Sequence, residues 1–189
     1  MKTIRWGMIG CGSVTEMKSG PAFNKAPHSK LMAVMRRDEQ KLKAYAQKHQ
    51  VPHFFLDANE LIQFAEVDAI YIATPPKFHE AYAIAAMQAG KPVYVEKPMG
   101  VDVAACERMD AFSKKQNVPL VIAHYRRALP LFLEVKRLLD TQTIGDIQTV
   151  RIEMLKEDSG LLDPATNWRI DASWAGGGYF YDLAPHQLD

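Results

Sequence analysis

The chain has 189 residues, 48% of them hydrophobic and 24% charged, which is typical of a globular protein with room for one domain or slightly more. The 23 Lys and Arg balance 22 Asp and Glu, so the formal net charge is only +1. This balance argues against nucleic acid or an anionic membrane surface as a partner. The sequence contains no apolar run of about 18 residues and no signal-peptide pattern, so neither membrane spanning nor secretion is expected.

Short apolar segments alternate with longer segments of helical period, which is typical of strand-helix-strand units around a parallel sheet. Brief segments rich in branched or aromatic residues are the predicted strands: 4–9, 31–35, 54–56, 69–72, 93–95 and 120–123. Segments with apolar residues at three-to-four spacing are the predicted crossover helices: 38–48, 58–65, 78–89 and 101–116. The first crossover should be a short helix and a turn, because Gly20-Pro21 should interrupt it. The predicted fold is α/β, a Rossmann doubly wound parallel sheet.

The pattern changes at Tyr125, so residues 1–124 are predicted to form this first domain and residues 125–189 the beginning of a second α/β domain. An amphipathic helix is expected at 129–140, a turn at 143–146 and a longer strand at 147–155. Beyond residue 156, a polar loop should lead to a triple glycine and one final helix. Because a single long strand cannot bury its apolar face alone, this second domain should be unstable or lean on a partner.

A glycine-rich turn directly follows the first predicted strand: Gly10-Cys11-Gly12-Ser13-Val14-Thr15. In a dinucleotide fingerprint, Gly10 permits the tight turn and Gly12 lets the backbone approach a pyrophosphate. The first N–H groups of the following helix, at Ser13 and Val14, attract negative charge. Thr15 replaces the third glycine, so a glycine turn without a ligand is the alternative. The position ahead of further strand-helix units favours a nucleotide site.

The second strand ends in Arg36-Arg37, about 20 residues past the glycines, where an NAD-specific domain places an acidic residue on the ribose. A carboxylate there repels the 2′-phosphate of NADP, whereas guanidinium groups bind it bidentately and stack on adenine. The pair therefore favours NADP, with NAD left open. The alternative is a pair of solvated charges neutralised by Asp38 or Glu39.

Two proline motifs close the fourth and fifth strands: Thr74-Pro75-Pro76, followed by His79, and Glu96-Lys97-Pro98. The carboxyl ends of parallel strands form the ligand-binding edge of an open sheet. We therefore expect Thr74, Pro75, His79, Glu96 and Lys97 to contact the cofactor. An exposed salt-bridging turn is the alternative for the second motif.

Motifs distributed over almost the whole chain resemble the glucose-fructose oxidoreductase, inositol dehydrogenase and rhizopine-catabolism family, Gfo/Idh/MocA. They are Gly10-Cys11-Gly12, Thr74-Pro75-Pro76 with His79, Gly90-Lys91-Pro92 before Glu96-Lys97-Pro98, Tyr125-Arg126-Arg127, and Gly176-Gly177-Gly178 before Asp182, His186 and Asp189. The resemblance implies a Rossmann domain followed by an α/β domain that carries the substrate and often forms the dimer interface. It also implies NAD(P)-dependent hydride transfer to or from a secondary alcohol or carbonyl of a sugar, polyol or related compound.

By this resemblance Lys97 matches the catalytic lysine, Lys97-Pro98 a cis peptide bond, and Asp182 and His186 the rest of the active site. Hydride transfer from an alcohol needs a group that takes the hydroxyl proton and a cation that stabilises charge on oxygen. Lys97 can supply the cation, His186 can accept the proton, and Asp182 can orient His186 or bind a substrate hydroxyl. Without the resemblance, Asp182 and His186 would be a helix-terminal carboxylate and a surface histidine.

Four further residues are candidates for substrate contact. Tyr125 and Arg126 follow the sixth strand, although an interdomain salt bridge would suit Arg126 equally. Trp168 and Arg169 resemble a family element that walls the substrate or nicotinamide, although core packing would also explain Trp168. No group of His, Cys, Asp and Glu has metal-site spacing, so no metal is expected.

Members of the family continue past the histidine motif, so this chain is expected to lack most of the substrate domain. The full-length form is then expected to be a homo-oligomer, whereas this chain should not form a stable sheet-to-sheet dimer. Cys11 and Cys106 match no redox or metal spacing, which predicts reduced thiols and a cytoplasmic setting. A non-catalytic dinucleotide sensor or regulator is the competing function, against which Lys97 and His186 argue. The sequence does not identify the substrate.

Overall fold

The computed structural model describes residues 1–155 and 167–189. Within them one sheet has six parallel strands: β1 Ile4–Ile9, β2 Ser29–Met35, β3 His53–Phe55, β4 Ala69–Ile72, β5 Val93–Val95 and β6 Leu120–Ile122. Their order is β3-β2-β1-β4-β5-β6, so the chain moves outward from β1 and then returns to its other side at β4. The predicted doubly wound parallel sheet is confirmed, with its topological switch point between β1 and β4.

Helices cover both faces of the sheet. Those described are α1 Ser13–Met17, α2 Ser19–Lys25, α3 Glu39–Lys48, α4 Ala58–Gln63, α5 His79–Gln88, α6 Val103–Gln116, α7 Pro130–Asp140, α8 Ala172–Ala175, α9 Gly178–Leu183 and α10 Pro185–Leu188. Met8 and Ile9 are both fully buried but belong to different apolar clusters, because successive strand residues point to opposite faces. One cluster packs under α4, α5 and α6, and the other packs under α2 and α3.

Aspartates fix where three of the crossover helices begin. The side chains of Asp38, Asp57 and Asp102 accept hydrogen bonds from backbone N–H groups in the first turns of α3, α4 and α6. Each such cap is worth about 1 kcal/mol, because it satisfies a donor that has no partner within the helix.

The first crossover corrects the predicted helix and turn. The chain breaks at Lys18 and a second helix, α2, then runs through Gly20 and Pro21. Proline is tolerated there because the first turn of a helix does not need its N–H. Gly20 is required by packing, since a Cβ at this position would overlap the Thr15 carbonyl and the Tyr45 hydroxyl.

The region after Tyr125 differs most from the sequence prediction. Helix α7 forms as predicted but buries none of its residues, and the predicted strand 147–155 is wrong, because this stretch has no regular secondary structure. A strand needs a neighbour for its backbone hydrogen bonds, and no residue in the described ranges pairs with it. The single helix predicted after the triple glycine is instead two helices, α9 and α10, which meet at Ala184-Pro185, and a short helix that was not predicted, α8, precedes the glycines. The predicted polar loop falls mainly on residues 156–166, outside the described residues.

Candidate active site

The glycine turn has the shape that a dinucleotide phosphate requires. Gly10 has φ +96°, and a Cβ there would lie 2.8 Å from the Thr74 backbone nitrogen, so only glycine fits. A Cβ on Gly12 would meet no atom within 4 Å, which means that this backbone borders open space. Thr15, in place of the third glycine, is fully buried and its hydroxyl donates to the Gly12 carbonyl at 2.9 Å. The turn is therefore closed by a hydrogen bond and remains accessible from outside.

A cleft of about 420 Å³ opens at this turn, within the usual size range of small-molecule sites. It lies beside the carboxyl ends of β1, β2 and β4, at the switch point where ligands bind in open α/β sheets. The residues that line it are Gly10, Cys11, Gly12, Ser13, Val14, Met35, Arg36, Arg37, Asp38, Ala73, Thr74, Pro75, Phe78, Tyr82, Trp168 and Arg169. Most of the predicted cofactor residues therefore line this one cleft.

The two arginines after β2 have different environments. Arg36 Nη1 donates to the Cys11 carbonyl at 2.7 Å, which ties this guanidinium to the glycine turn. Arg37 is exposed, and its guanidinium carbon lies 5.3 Å from the centroid of the Phe78 ring. Arg36 therefore supports the turn while Arg37 presents its donors at the mouth of the cleft.

The neighbouring acidic residues pair elsewhere. Asp38 contacts Lys41 at 3.1 Å, and Glu39 contacts Lys43 at 2.7 Å. The Lys41 amide and ammonium also lower the pKa of Asp38. Within residues 1–155 and 167–189, neither arginine forms an ion pair with these carboxylates, contrary to the alternative left open by the sequence.

Lys97 is held at the end of β5 by a residue 85 positions later in the chain. Its ammonium donates to the Asp182 carboxylate at 2.8 Å and to the Asp182 carbonyl at 2.6 Å, and its side chain is only 12% exposed. The Lys97-Pro98 peptide bond is cis, as predicted. An exposed turn is therefore the wrong interpretation of this motif, because Lys97 is aimed inward by a specific partner.

Glu96 makes internal contacts. Its carboxylate accepts the Tyr71 hydroxyl at 2.5 Å and the Lys97 backbone N–H at 3.2 Å. Burial, and then the charge of Glu96, raise the pKa of Tyr71, so the phenol stays protonated and donates. Glu96 does not line the described cleft, in contrast to the prediction, and instead fixes the backbone at Lys97.

His79 also lies beneath the cleft and not on its wall, which corrects its prediction as a cofactor contact. It is 1% exposed, with Nε2 2.7 Å from the Thr74 carbonyl and Nδ1 3.0 Å from the Pro98 carbonyl. Burial lowers its pKa, so the ring is neutral near pH 7 and donates to one of the two carbonyls. His79 thus joins the loops that follow β4 and β5.

His186 lies near Lys97 in α10. Burial, and then the positive charges of Lys97 and Arg126, lower its pKa to about 4. The imidazole is therefore neutral at physiological pH and able to accept a proton. Tyr125 packs edge-on against it at 5.6 Å between ring centroids, and Arg126 donates to its backbone carbonyl at 3.2 Å. The predicted set Lys97, Asp182 and His186 therefore comes together in space.

Trp168 and Arg169 connect this set to the cleft. The Arg169 guanidinium lies 4.7 Å from the Trp168 ring centroid and 3.5 Å from the second oxygen of Asp182. Both residues line the cleft. Asp182 therefore contacts both Lys97 and Arg169. Because Arg169 lines the cleft, the group formed by Lys97, Asp182 and His186 lies next to the cleft.

Phe78 and Tyr82, which line the cleft, and Tyr71, which holds Glu96, are not among the site residues predicted from the sequence. Phe78 ends the turn after Thr74-Pro75, and Tyr82 follows it by one helical turn. Their spacing at the ligand-binding edge was the available signal. Among the described residues no helix is long and apolar enough to cross a membrane, and no three His, Cys, Asp or Glu side chains form a metal cluster.

Comparisons with known proteins agree with this architecture. Residues 4–124 match the GFO_IDH_MocA profile, described as an oxidoreductase family with an NAD-binding Rossmann fold, and residues 132–189 match the GFO/IDH/MocA C-terminal domain. Oxidoreductase P35 of Formosa agariphila is 44% identical over 98% of this chain and 59% of its own length. The mouse trans-1,2-dihydrobenzene-1,2-diol dehydrogenase is 32% identical over 93% of this chain and 51% of its own length.

A solved structure of scyllo-inositol dehydrogenase from Lactobacillus casei, with bound NAD(H) and scyllo-inositol, superposes with a TM-score of 0.72 at 30% identity. The match covers 77% of this chain and 43% of the other. The chain thus spans about half the length of the proteins that it resembles. The first of the two profile matches extends over more than half of the 189 residues. The chain therefore belongs to the Gfo/Idh/MocA family of oxidoreductases.

Proposed function

We propose that the protein containing this chain is an NADP-dependent oxidoreductase that transfers a hydride between the cofactor and a secondary alcohol or carbonyl of a sugar, polyol or related compound. The observation that carries the proposal is the inward-facing Lys97, held by Asp182, beside a neutral His186 and next to the nucleotide cleft. The names of two relatives support the substrate class, because scyllo-inositol and dihydrobenzenediol both contain secondary alcohols.

The residues divide the chemistry among them. A nicotinamide cofactor bound in the cleft supplies the hydride acceptor or donor. During alcohol oxidation a free imidazole nitrogen of His186 takes the hydroxyl proton, and the Lys97 ammonium stabilises the negative charge that develops on the same oxygen. Asp182 orients the lysine, while Glu96 and His79 fix the loop that carries it.

A full-length protein screened against a panel of sugars and polyols, with NADPH absorbance as the readout, tests the proposal. Turnover of at least one secondary alcohol or its ketone is expected. Tight cofactor binding without turnover across the panel would instead favour a dinucleotide sensor of the same fold.

NADPH should bind the full-length protein about tenfold to a hundredfold more tightly than NADH. Arg36 and Arg37 line the cleft at the carboxyl end of β2, and a charge-assisted contact between a guanidinium and a 2′-phosphate would contribute about 1.5–3 kcal/mol. Fluorescence titration with both cofactors measures the ratio. An Arg36→Asp, Arg37→Ala double variant should lose the preference, whereas Lys41→Ala should keep it. Equal affinities in the wild type would contradict NADP specificity.

The proposed base gives a distinctive pH profile. His186 must be neutral to accept a proton, and its pKa is lowered to about 4, so kcat/KM for alcohol oxidation should not lose an essential base between pH 7 and 5.5. An unshifted histidine would titrate near 6.5 and lose most of its base form over that interval. A profile of kcat/KM against pH checks this. An acid limb centred at 6 or above would contradict the assignment.

We further propose a cytoplasmic setting, a small-molecule substrate in place of nucleic acid or membrane, and a homo-oligomeric full-length protein. Both cysteines are free thiols, and burial raises the pKa of Cys11 to about 11, which keeps it unreactive. The net charge of +1 supports the small-molecule partner. Exposed apolar side chains on α7 support association in the longer protein.

A further inference from the structure

We propose that Phe78 is a positioning residue for cofactor specificity: its ring holds the Arg37 guanidinium at the cleft, where that guanidinium selects the 2′-phosphate of NADP. The inference rests on the proposed NADP preference and assigns part of it to an aromatic side chain that makes no charge contact itself. Both Phe78 and Arg37 line the same cleft as the glycine turn.

The contact between the two side chains has the geometry of a cation–π interaction. The Arg37 guanidinium carbon lies 5.3 Å from the Phe78 ring centroid, within the range of about 6 Å for such contacts. Arg37 is otherwise exposed, and an unrestrained arginine loses considerable rotamer freedom when it binds a ligand. A ring that already holds the planar guanidinium reduces this loss, because the donor fork is directed before the phosphate arrives.

The Phe78 ring is itself held from two sides. The Tyr82 ring stacks beside it, 6.2 Å away with an interplanar angle of 28°, and the Trp174 ring meets it nearly perpendicularly at 5.5 Å. Its backbone ends the 3₁₀ turn Pro76–Phe78. Trp174 is in α8, and the Lys77 ammonium lies 4.9 Å from the centroid of its ring. The two rings that hold Phe78 therefore come from separate parts of the chain, Tyr82 from α5 and Trp174 from α8.

Arg36 has a structural role that differs from that of Arg37. Its hydrogen bond to the Cys11 carbonyl supports the glycine turn, and both NADH and NADPH need that turn. Loss of Arg36 should therefore weaken both cofactors. Arg37 forms no hydrogen bond or ion pair within the described ranges, so its donors remain directed to the ligand. Any effect of Phe78 on the preference for NADPH over NADH should therefore depend on Arg37.

The test is a double-mutant cycle in the full-length protein, with dissociation constants for NADPH and NADH from fluorescence titration. Phe78→Leu should weaken NADPH about two- to fivefold and leave NADH unchanged. Arg37→Ala should weaken NADPH more, and the double variant should be no worse than Arg37→Ala alone. Phe78→Tyr should retain the wild-type ratio. Phe54→Leu, the same change at an exposed phenylalanine of β3 outside the cleft, is the matched control.

The outcomes separate this inference from the proposed function. A wild-type protein without NADPH preference overturns the NADP assignment and the inference with it. A ratio of NADPH to NADH affinity in Phe78→Leu that equals the wild-type ratio overturns the inference alone. An equal loss of both cofactors in Phe78→Leu also overturns it, because the ring would then act as a cleft wall. Additive losses in the double variant would show that Phe78 acts independently of Arg37.

Discussion

Replacement of Lys97 by Met should lower kcat by about 10²–10³ and leave the cofactor dissociation constant nearly unchanged. Methionine keeps the length and apolar bulk of the lysine stem but removes the ammonium that reaches Asp182 at 2.8 Å. In the proposed mechanism the lost ammonium stabilises the oxygen that gains charge during hydride transfer, so the substitution should destabilise the transition state more than the bound cofactor. Steady-state kinetics in the full-length enzyme and a cofactor titration measure the two effects separately.

Lys91→Met is the matched control for that substitution. Lys91 is also half-buried and donates to the Phe64 carbonyl at 2.8 Å, but it precedes β5, whereas Lys97 follows the carboxyl end of that strand. Its replacement should leave kcat within a few-fold of wild type. If Lys97→Met turns over at a similar rate, Lys97 has no part in the chemistry and the Glu96-Lys97-Pro98 turn is structural.

Replacement of Gly12 by Val should weaken NADPH binding by at least about a hundredfold while thermal stability changes little. The Gly12 backbone is extended, with φ −118°, and a Cβ there meets no atom within 4 Å, so the fold accepts the side chain. The branched side chain would occupy the space that a pyrophosphate needs to reach the turn. Loss of two charge-assisted backbone contacts accounts for the size of the effect.

Gly10→Ala is the informative contrast, because its Cβ would lie 2.8 Å from the Thr74 backbone at a φ of +96°. That variant should lose both stability and binding. Thermal melting and fluorescence titration of the two variants distinguish the cases. Binding of NADPH by Gly12→Val within tenfold of wild type would place the phosphate away from this turn.

Much of the fold follows from local sequence pattern. The predicted bounds of β1 match the observed ones, because its second half is apolar and buried on both faces and the glycine turn follows it directly. β2 begins two residues earlier than predicted, since Ser29 and Lys30 pair with Ile4 and Arg5 without being apolar. α3 begins one residue after Asp38, whose side chain caps it. The errors at these boundaries are small because local chemistry determines them.

The remaining errors concern contacts that no local pattern encodes. The stretch 147–155 alternates like a strand but lacks a described partner, so its pattern alone could not make it one. His79 was expected at the ligand edge, yet the backbone carbonyls of Thr74 and Pro98 draw it inside. The pairing of Lys97 with Asp182 was accessible only through the family resemblance, because 85 residues separate them.

That separation gives the site an order of assembly during synthesis. Apart from Trp168 and Arg169, every residue of the cleft wall precedes residue 83, whereas the carboxylate that aims Lys97 belongs to α9. Domains form from the N-terminal end as a chain leaves the ribosome. A nascent polypeptide therefore completes most of its dinucleotide pocket well before its lysine gains a fixed direction. Under the proposed mechanism, the ability to bind the cofactor would therefore form before the contact between Asp182 and Lys97 that the chemistry needs.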